Sequence, residues 1–242
     1  MTKLTDFKAL TFDCYGTLID WEAGLWNALQ PLLSEGGLTT DREEALELFG
    51  RLEMEQEVET PSLRYSSLLG IVHARMAKFW GARVSSEMHD RFGMSVPDWP
   101  PFPDSAGALC YLKKHYKIII LSNVDRTSFA ASNRKLGVNF DAVYTAEDIG
   151  SYKPDPRNFT YLLDHLRDDF GIAPSQVLHT AQSLHHDHVP AAKAGLARAW
   201  IDRRSGRPGG GATPVPSNIP PVDFVFKSLA EFVDTHRSAV GA

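Results

Sequence analysis

Long apolar runs are missing from this sequence. Nothing in its 242 residues approaches the roughly 20 consecutive apolar residues that a bilayer-spanning helix needs. The start, which carries Lys3 and Lys8, has no apolar stretch of the signal-peptide kind. Cysteine is scarce too. Cys14 and Cys110 are the only two, too few for a disulfide framework, so a reducing, cytoplasmic setting is expected. Positive charge is in deficit: 25 Lys and Arg against 30 Asp and Glu leave a formal net charge of −5. The one basic cluster, Arg203-Arg204-Ser205-Gly206-Arg207, runs into a Gly- and Pro-rich stretch and reads as a solvated loop. These shortages argue against nucleic acid and membrane as partners. There is no internal repeat. What remains is an ordinary globular chain, long enough to bury a sizeable core.

The first apolar run, Ala9, Leu10 and Phe12, is short and reads as a buried strand over residues 8–13. It ends on Asp13 and is followed at once by a Gly16-Thr17 turn. From about Trp21 to Asp90 the pattern becomes helical. Leu25, Leu29, Leu32 and Leu33 share one helix face. Thr40 with Glu43 has capping-box spacing, and Ala45, Leu48, Phe49 and Leu52 form the stripe of a second helix. Tyr65, Leu68, Leu69, Val72, Met76 and Phe79 mark a third, ending near Gly81. Four prolines between Pro97 and Pro103 then impose a stiff connector.

Beyond that connector strands and helices alternate. The strands are Ile118–Leu121, Ala142–Thr145, Val177–Thr180, Ala199–Ile201 and Phe224–Phe226. Between them lie helices that include one opened by Asp155 and Pro156 as N-cap and first residue. Alternation of this kind predicts an α/β fold, a Rossmann-like parallel sheet core. The helical block is then an inserted cap. The expected division is 1–16 and 99–242 as core and 17–98 as helical cap, with 205–221 a long loop.

In open parallel sheets ligands bind beyond the carboxyl ends of the strands, so the residues that follow strands carry the chemistry. Here they are Asp13 with Tyr15, Gly16 and Thr17; Ser122 and Asn123; Lys153; and Gln182 with Asp187. A carboxylate can act as a covalent nucleophile. Lys153 would keep Asp13 ionised and offset substrate charge. A strand-end Ser-Asn pair with backbone N–H groups suits an oxyanion. Alternation along the strand turns Cys14 away from Asp13, as a small buried hydrophobe. His185-His186-Asp187-His188, with His179 nearby, has the composition of a metal site. Adjacent side chains at a helix start diverge, however, and no cysteine completes a set, so no metal site is expected.

Asp13-Cys14-Tyr15-Gly16-Thr17-Leu18, Leu121-Ser122-Asn123, Tyr152-Lys153-Pro154-Asp155 and Asp187 resemble, in order and spacing, the four motifs of the haloacid dehalogenase superfamily. The resemblance spans essentially the whole chain, cap included. Superfamily phosphatases carry a second Asp two residues after the nucleophile as general acid. This chain has Tyr15 there, whose high reference pKa suits it poorly to that task. Tyr at that position resembles the L-2-haloacid dehalogenases, whose halide leaving group needs no proton.

The resemblance implies a hydrolase acting on short 2-haloacids. Asp13 would displace halide to form an ester, and water would then attack the ester carbonyl. Thr17, Ser122 and Lys153 would position the nucleophile and compensate charge, Asp187 would hold Lys153, a metal or a water, and Tyr15, Asn123 and Gln182 would line the substrate site. The expected substrate is a small anion, and a cap cation for its carboxylate is expected at Arg51, with Arg64 second. Homodimerisation is implied by the family, and no cofactor is. Three departures keep two alternatives open. Motif four reads Ala181-Gln182-Ser183-Leu184 where the dehalogenases have a Ser-Ser-Asn-like run, Gln182 stands where a phosphatase has a magnesium ligand, and Phe159 stands where the dehalogenases have Tyr. The alternatives are a phosphatase of small esters using Mg²⁺ and a binding protein on a disabled hydrolase fold.

Overall fold

A computed structural model of the chain describes residues 2–207 and 209–241. Six strands form one parallel sheet: β1 (Ala9–Phe12), β2 (Lys117–Ser122), β3 (Ala142–Thr145), β4 (Val177–Ala181), β5 (Ala197–Ile201) and β6 (Phe224–Phe226). Their order across the sheet is β3-β2-β1-β4-β5-β6. The central strands β1 and β4 are buried along their whole length, as a sheet covered on both faces requires. Strand order reverses at β1, which pairs with β2 on one side and β4 on the other. That reversal opens a crevice at the carboxyl end of β1, directly beyond Phe12.

Both faces are packed. On one, Ile119 and Leu121 of β2 meet Phe159, Leu162 and Leu166 of the helix Pro156–Phe170. The expected cap of that helix is present: Asp155 accepts from the Arg157 amide, and Pro156 is its first residue. The other face is covered by the helices Ser105–Leu112 and Leu229–Val240, through Leu109, Leu112 and Phe232.

Between β1 and β2 the chain builds the helical cap from α1 (Trp21–Glu35), α2 (Arg42–Glu59), α3 (Tyr65–Phe79) and α4 (Ser86–Gly93). The fourth of these was not singled out by periodicity, because eight residues give too short a stripe. The expected stripes of α1 and α2 are buried, but the start of α2 differs from expectation. Asp41 rather than Thr40 is the N-cap, accepting from the Glu44 amide, and Thr40 donates to the Glu44 carboxylate instead. The two crossings between cap and core are tied to each other. Asp20 N donates to Pro100 O at 2.8 Å and Phe102 N to Leu18 O at 3.0 Å, so the chain leaves and re-enters the core through one short ribbon.

The Gly- and Pro-rich loop after β5 runs across to the cap. Arg204 pairs with Glu22 of α1 at 2.6 Å and with Glu43 of α2, and Ala212 N donates to the Glu22 carboxylate at 3.1 Å. Gly50 of α2 permits this approach, since a Cβ there would lie 2.1 Å from the Ala212 carbonyl oxygen. Gly50→Ala should therefore cost about 1–3 kcal/mol through overpacking, despite alanine's better helix propensity. The expected result is a thermal midpoint roughly 3–10 °C lower by calorimetry. An unchanged midpoint would show that the loop yields freely. Among the described residues no helix is long and apolar enough to cross a membrane.

Candidate active site

β1 delivers Asp13 to the crevice, its amide held by Thr180 O of β4 at 3.1 Å. The next residues turn sharply: Leu18 and Ile19 amides both donate to the Cys14 carbonyl. Gly16, at φ +92°, allows this turn, and a Cβ there would also press on Gln182 Oε1 and Trp21 Nε1 at 3.0 Å. The turn swings Thr17 back so that its hydroxyl donates to Asp13 Oδ2 at 2.9 Å. Thr17 Oγ1 in turn accepts from the Gln182 amide at 2.9 Å. Cys14 lies buried, with its thiol pushed well up by burial and by the adjacent Asp13 charge.

Lys153 reaches the same point from the segment ahead of Pro156. Its Nζ donates to Asp13 Oδ1 at 2.9 Å, Asp187 Oδ1 at 2.7 Å and Leu121 O at 3.0 Å, with the side chain 1% exposed. Asn123 fixes the Lys153 backbone from both sides, accepting from its amide at 2.7 Å and donating to its carbonyl at 2.9 Å. Ser122, at the end of β2, is buried and its hydroxyl has no partner.

Asp187 is positioned by a π-helical turn, Leu184–His188, a form often found where a side chain must be re-aimed. His179 holds the same Asp187 oxygen as Lys153, through Nε2 at 2.9 Å, while its Nδ1 meets Thr11. Phe159 packs edge-on against His179, 5.1 Å between centroids, and so acts beneath the site rather than in it. Asp187 Oδ2 is left without a partner. Burial works against the Asp187 charge, yet Lys153 and His179 outweigh it and hold this carboxyl well below its usual range. Burial raises Asp13, with Lys153 opposing. Lys153 stays cationic because Asp13 and Asp187 more than offset its desolvation.

Tyr15 lines the cavity with its ring, set edge-on against Trp99 at 5.5 Å. Its hydroxyl is committed to Ser132 at 2.9 Å, and burial pushes its pKa well up. No second carboxyl group stands beside Asp13 on this turn. Gln182 contributes its backbone, while its side chain turns to Thr213 at 3.4 Å and lines the neighbouring clefts. A Mg²⁺ site of the phosphatase kind therefore does not fit: the amide points elsewhere and Lys153 already binds both carboxylates. Among the described residues no group of three or more His, Cys, Asp and Glu is arranged to hold a metal ion.

The structure does not bring Arg51 to this cavity. It pairs with Glu55 at 3.5 Å, lies over Phe79, and is half exposed. Arg64 is likewise outside, exposed and paired with Glu147 at 2.8 Å. The reason is helical geometry: at 100° per residue, Arg51 lies about 200° around α2 from Glu53. Glu53 and Glu57, four residues apart, take the inward face instead and are both buried. Glu53 accepts from the Tyr65 hydroxyl at 2.6 Å and Glu57 from Asn123 Nδ2 at 3.2 Å. Burial lifts Glu53 to about 8, and burial together with the Glu53 charge lifts Glu57 well above the usual range. His186, 3.9 Å from Glu57, is driven down to about 3 by burial and is neutral. Sequence reasoning missed these two glutamates, although a signal existed: they continue the stripe from Ala45 and Phe49 at the same four-residue step.

Comparison with known proteins agrees with this architecture. The (S)-2-haloacid dehalogenase 4A of Burkholderia cepacia is 27% identical over 243 residues, covering 93% of this chain and 96% of that protein. The (S)-2-haloacid dehalogenase of Pseudomonas putida is 24% identical over 214 residues, 84% of this chain and 88% of its own length. The solved L-2-haloacid dehalogenase of Xanthobacter autotrophicus superposes with a TM-score of 0.78 at 20% identity, over 96% of this chain and 99% of that one. A second structure of that enzyme, with chloropropionic acid covalently bound, gives 0.75 at 19% identity over 98% and 100% of the two chains. The haloacid dehalogenase-like hydrolase family matches residues 7–194, about three quarters of the chain, and the protein belongs to that family.

Proposed function

We propose that the protein hydrolyses the carbon–halogen bond of a short 2-haloacid through an ester on Asp13. In the first step an Asp13 oxygen forms a bond to the halogen-bearing carbon while halide leaves with the bonding electron pair. Lys153 and Thr17 hold the carboxylate in line for this attack. In the second step water adds to the Asp13 carbonyl carbon, the ester C–O bond breaks, and the 2-hydroxyacid departs with the former Asp13 oxygen. Asp187 Oδ2, buried and free of other partners, takes a proton from that water and the proton passes on to the departing alcohol oxygen, while Lys153 stabilises the oxyanion that forms.

The observation that carries this reading is Tyr15. With its hydroxyl bonded to Ser132, the turn offers no acid to a leaving group, and halide alone among the candidates needs none. The same reading takes residues 17–98 as a cap that excludes water during the first step, on a core of 1–16 and 99–242. The relatives' activity on 2-haloacids supports the choice of substrate class.

The test is a single turnover of 2-chloropropanoate in ¹⁸O-water with enzyme in excess. The hydroxyacid should carry unlabelled oxygen and the label should appear in the peptide containing Asp13. Label in the product alone would overturn the ester. Phosphate release from p-nitrophenyl phosphate with Mg²⁺, without halide release, would replace the reading with the phosphatase one.

A further inference from the structure

Displacement by Asp13 sends the leaving group away from the strand end that carries the nucleophile and towards the cap. Asp13 enters the cavity from the end of β1, and α2 covers it from the cap with Glu53 and Glu57 turned inward. The expected cap cation is not there, since Arg51 and Arg64 both lie outside. The polar hydrogens nearest the glutamates are already engaged. Lys153 is the only lysine or arginine on the wall among the described residues, and its three hydrogens go to Asp13, Asp187 and Leu121. Both amide hydrogens of Asn123 are spent, on Glu57 and on the Lys153 carbonyl. The Tyr65 hydroxyl donates to Glu53.

The two glutamates themselves supply what is missing. Each is buried, and each has one oxygen occupied by a neutral donor, Tyr65 for Glu53 and Asn123 for Glu57. A carboxyl group buried without a cation of its own keeps its proton, because desolvation penalises the charged form. The raised values of both groups agree, with Glu53 at about 8. The proton then sits on the second oxygen. In Glu57 that oxygen is 3.9 Å from His186 Nε2, beyond hydrogen-bond reach, and His186 is neutral. The cap thus brings two O–H donors to the cavity wall. Resting on the Asp13 reading, we propose that the departing halide is received by the carboxylic acid hydrogens of Glu53 and Glu57, in the place of a cation. The carbon–halogen bond breaks with its electron pair going to the halide, and both hydrogens stay on their glutamates. A neutral donor helps most the halide that accepts hydrogen bonds most strongly, so the pair extends the substrate class from 2-chloro to 2-fluoro acids.

The pH profile is the first test. For 2-fluoropropanoate kcat/KM should fall as pH rises through about 8, where Glu53 loses its proton. The surrounding groups do not produce such a fall. Tyr65 and Tyr152 are held protonated by burial, His186 is neutral and Lys153 stays cationic throughout. Asp187 is already ionised, and any proton lost from Asp13 would raise activity. Glu53→Gln, which keeps a donor but does not titrate, should remove the fall. A native profile that stays flat or rises, or a fall unchanged in Glu53→Gln, overturns the proposal.

The second test compares leaving groups. Glu57→Leu should lower kcat/KM for 2-fluoropropanoate about tenfold or more beyond its effect on 2-chloropropanoate, and Glu57→Gln should recover most of that difference. Equal losses for the two substrates, with the ¹⁸O label still on Asp13, leave the ester standing and overturn the leaving-group role. Halide release from neither substrate overturns the ester and the leaving-group role together. Should Glu57→Leu fail to fold, infrared spectra at neutral pH give a readout free of turnover. The carbonyl band of protonated carboxyl groups should be present in the native protein and weaker in Glu57→Gln, and its absence overturns the proposal.

Discussion

If Asp13 is the proposed nucleophile, Asp13→Asn should eliminate halide release, with kcat/KM lowered by about four orders of magnitude or more while the protein remains folded. The size of the effect follows from the role: a covalent nucleophile is not replaced by binding or orientation alone. Asparagine keeps the shape but not the reactivity, and it also breaks the hydrogen-bond pattern. Thr17 donates to one Asp13 oxygen and Lys153 to the other. An amide NH₂ must face one of these donors, so the side chain is both inert and badly seated. Stability should change little by comparison, because the substitution also removes one of two buried carboxylates that share Lys153. The check is halide release beside a thermal melt of the same preparation. Residual activity above about 1% in a folded variant would mean that Asp13 is not the nucleophile.

Lys153→Met has an equally large effect on activity and a large one on stability. Removing the ammonium leaves Asp13 and Asp187 buried side by side with no counter-charge, and breaking a buried pair in this way costs about 3–5 kcal/mol. The contribution of Asp187 to the pH dependence should change sign. In the native protein Asp187 is held below its ordinary value of 3.8. Its contribution is therefore complete above that pH and is lost only as the pH falls further. In the variant both carboxyls have folded-state pKa values above their unfolded ones. The folded state then binds more protons, and stability falls as pH rises from about 4 to 7. Urea denaturation at pH 7 and pH 5 should thus show the gap between native and variant shrinking in acid. A gap independent of pH would mean that the loss is one of packing, not of charge.

Much of this was legible in the sequence for local reasons. A short apolar run ending in an acid before a Gly-Thr turn reports a strand end in any fold of this class, which is why Asp13, Thr17, Ser122, Asn123, Lys153 and Asp187 stand out from the sequence alone. Gln182 is a candidate on sequence grounds, but which part of it faces the site depends on rotamer and neighbours. Arg51 and the glutamates show the same limit more sharply. A helix with alternating charges, such as α2, does not declare which face turns inward. A carboxylate continuing an apolar stripe reads as the edge of a solvated face unless the pocket opposite it is known. The π turn at Leu184–His188 was likewise hidden, since one extra residue in a turn alters side-chain direction without altering composition.

The strap formed by the loop after β5 bears on turnover itself. It is anchored to α1 and α2 through Arg204 and Ala212, and it brings Thr213 to the cavity wall. The wall that encloses an ester would also detain the alcohol formed from it. If the wall detains it, the slow event of the cycle would be departure rather than bond cleavage, showing on acid quench as a burst of both halide and enzyme-bound hydroxyacid ahead of steady turnover.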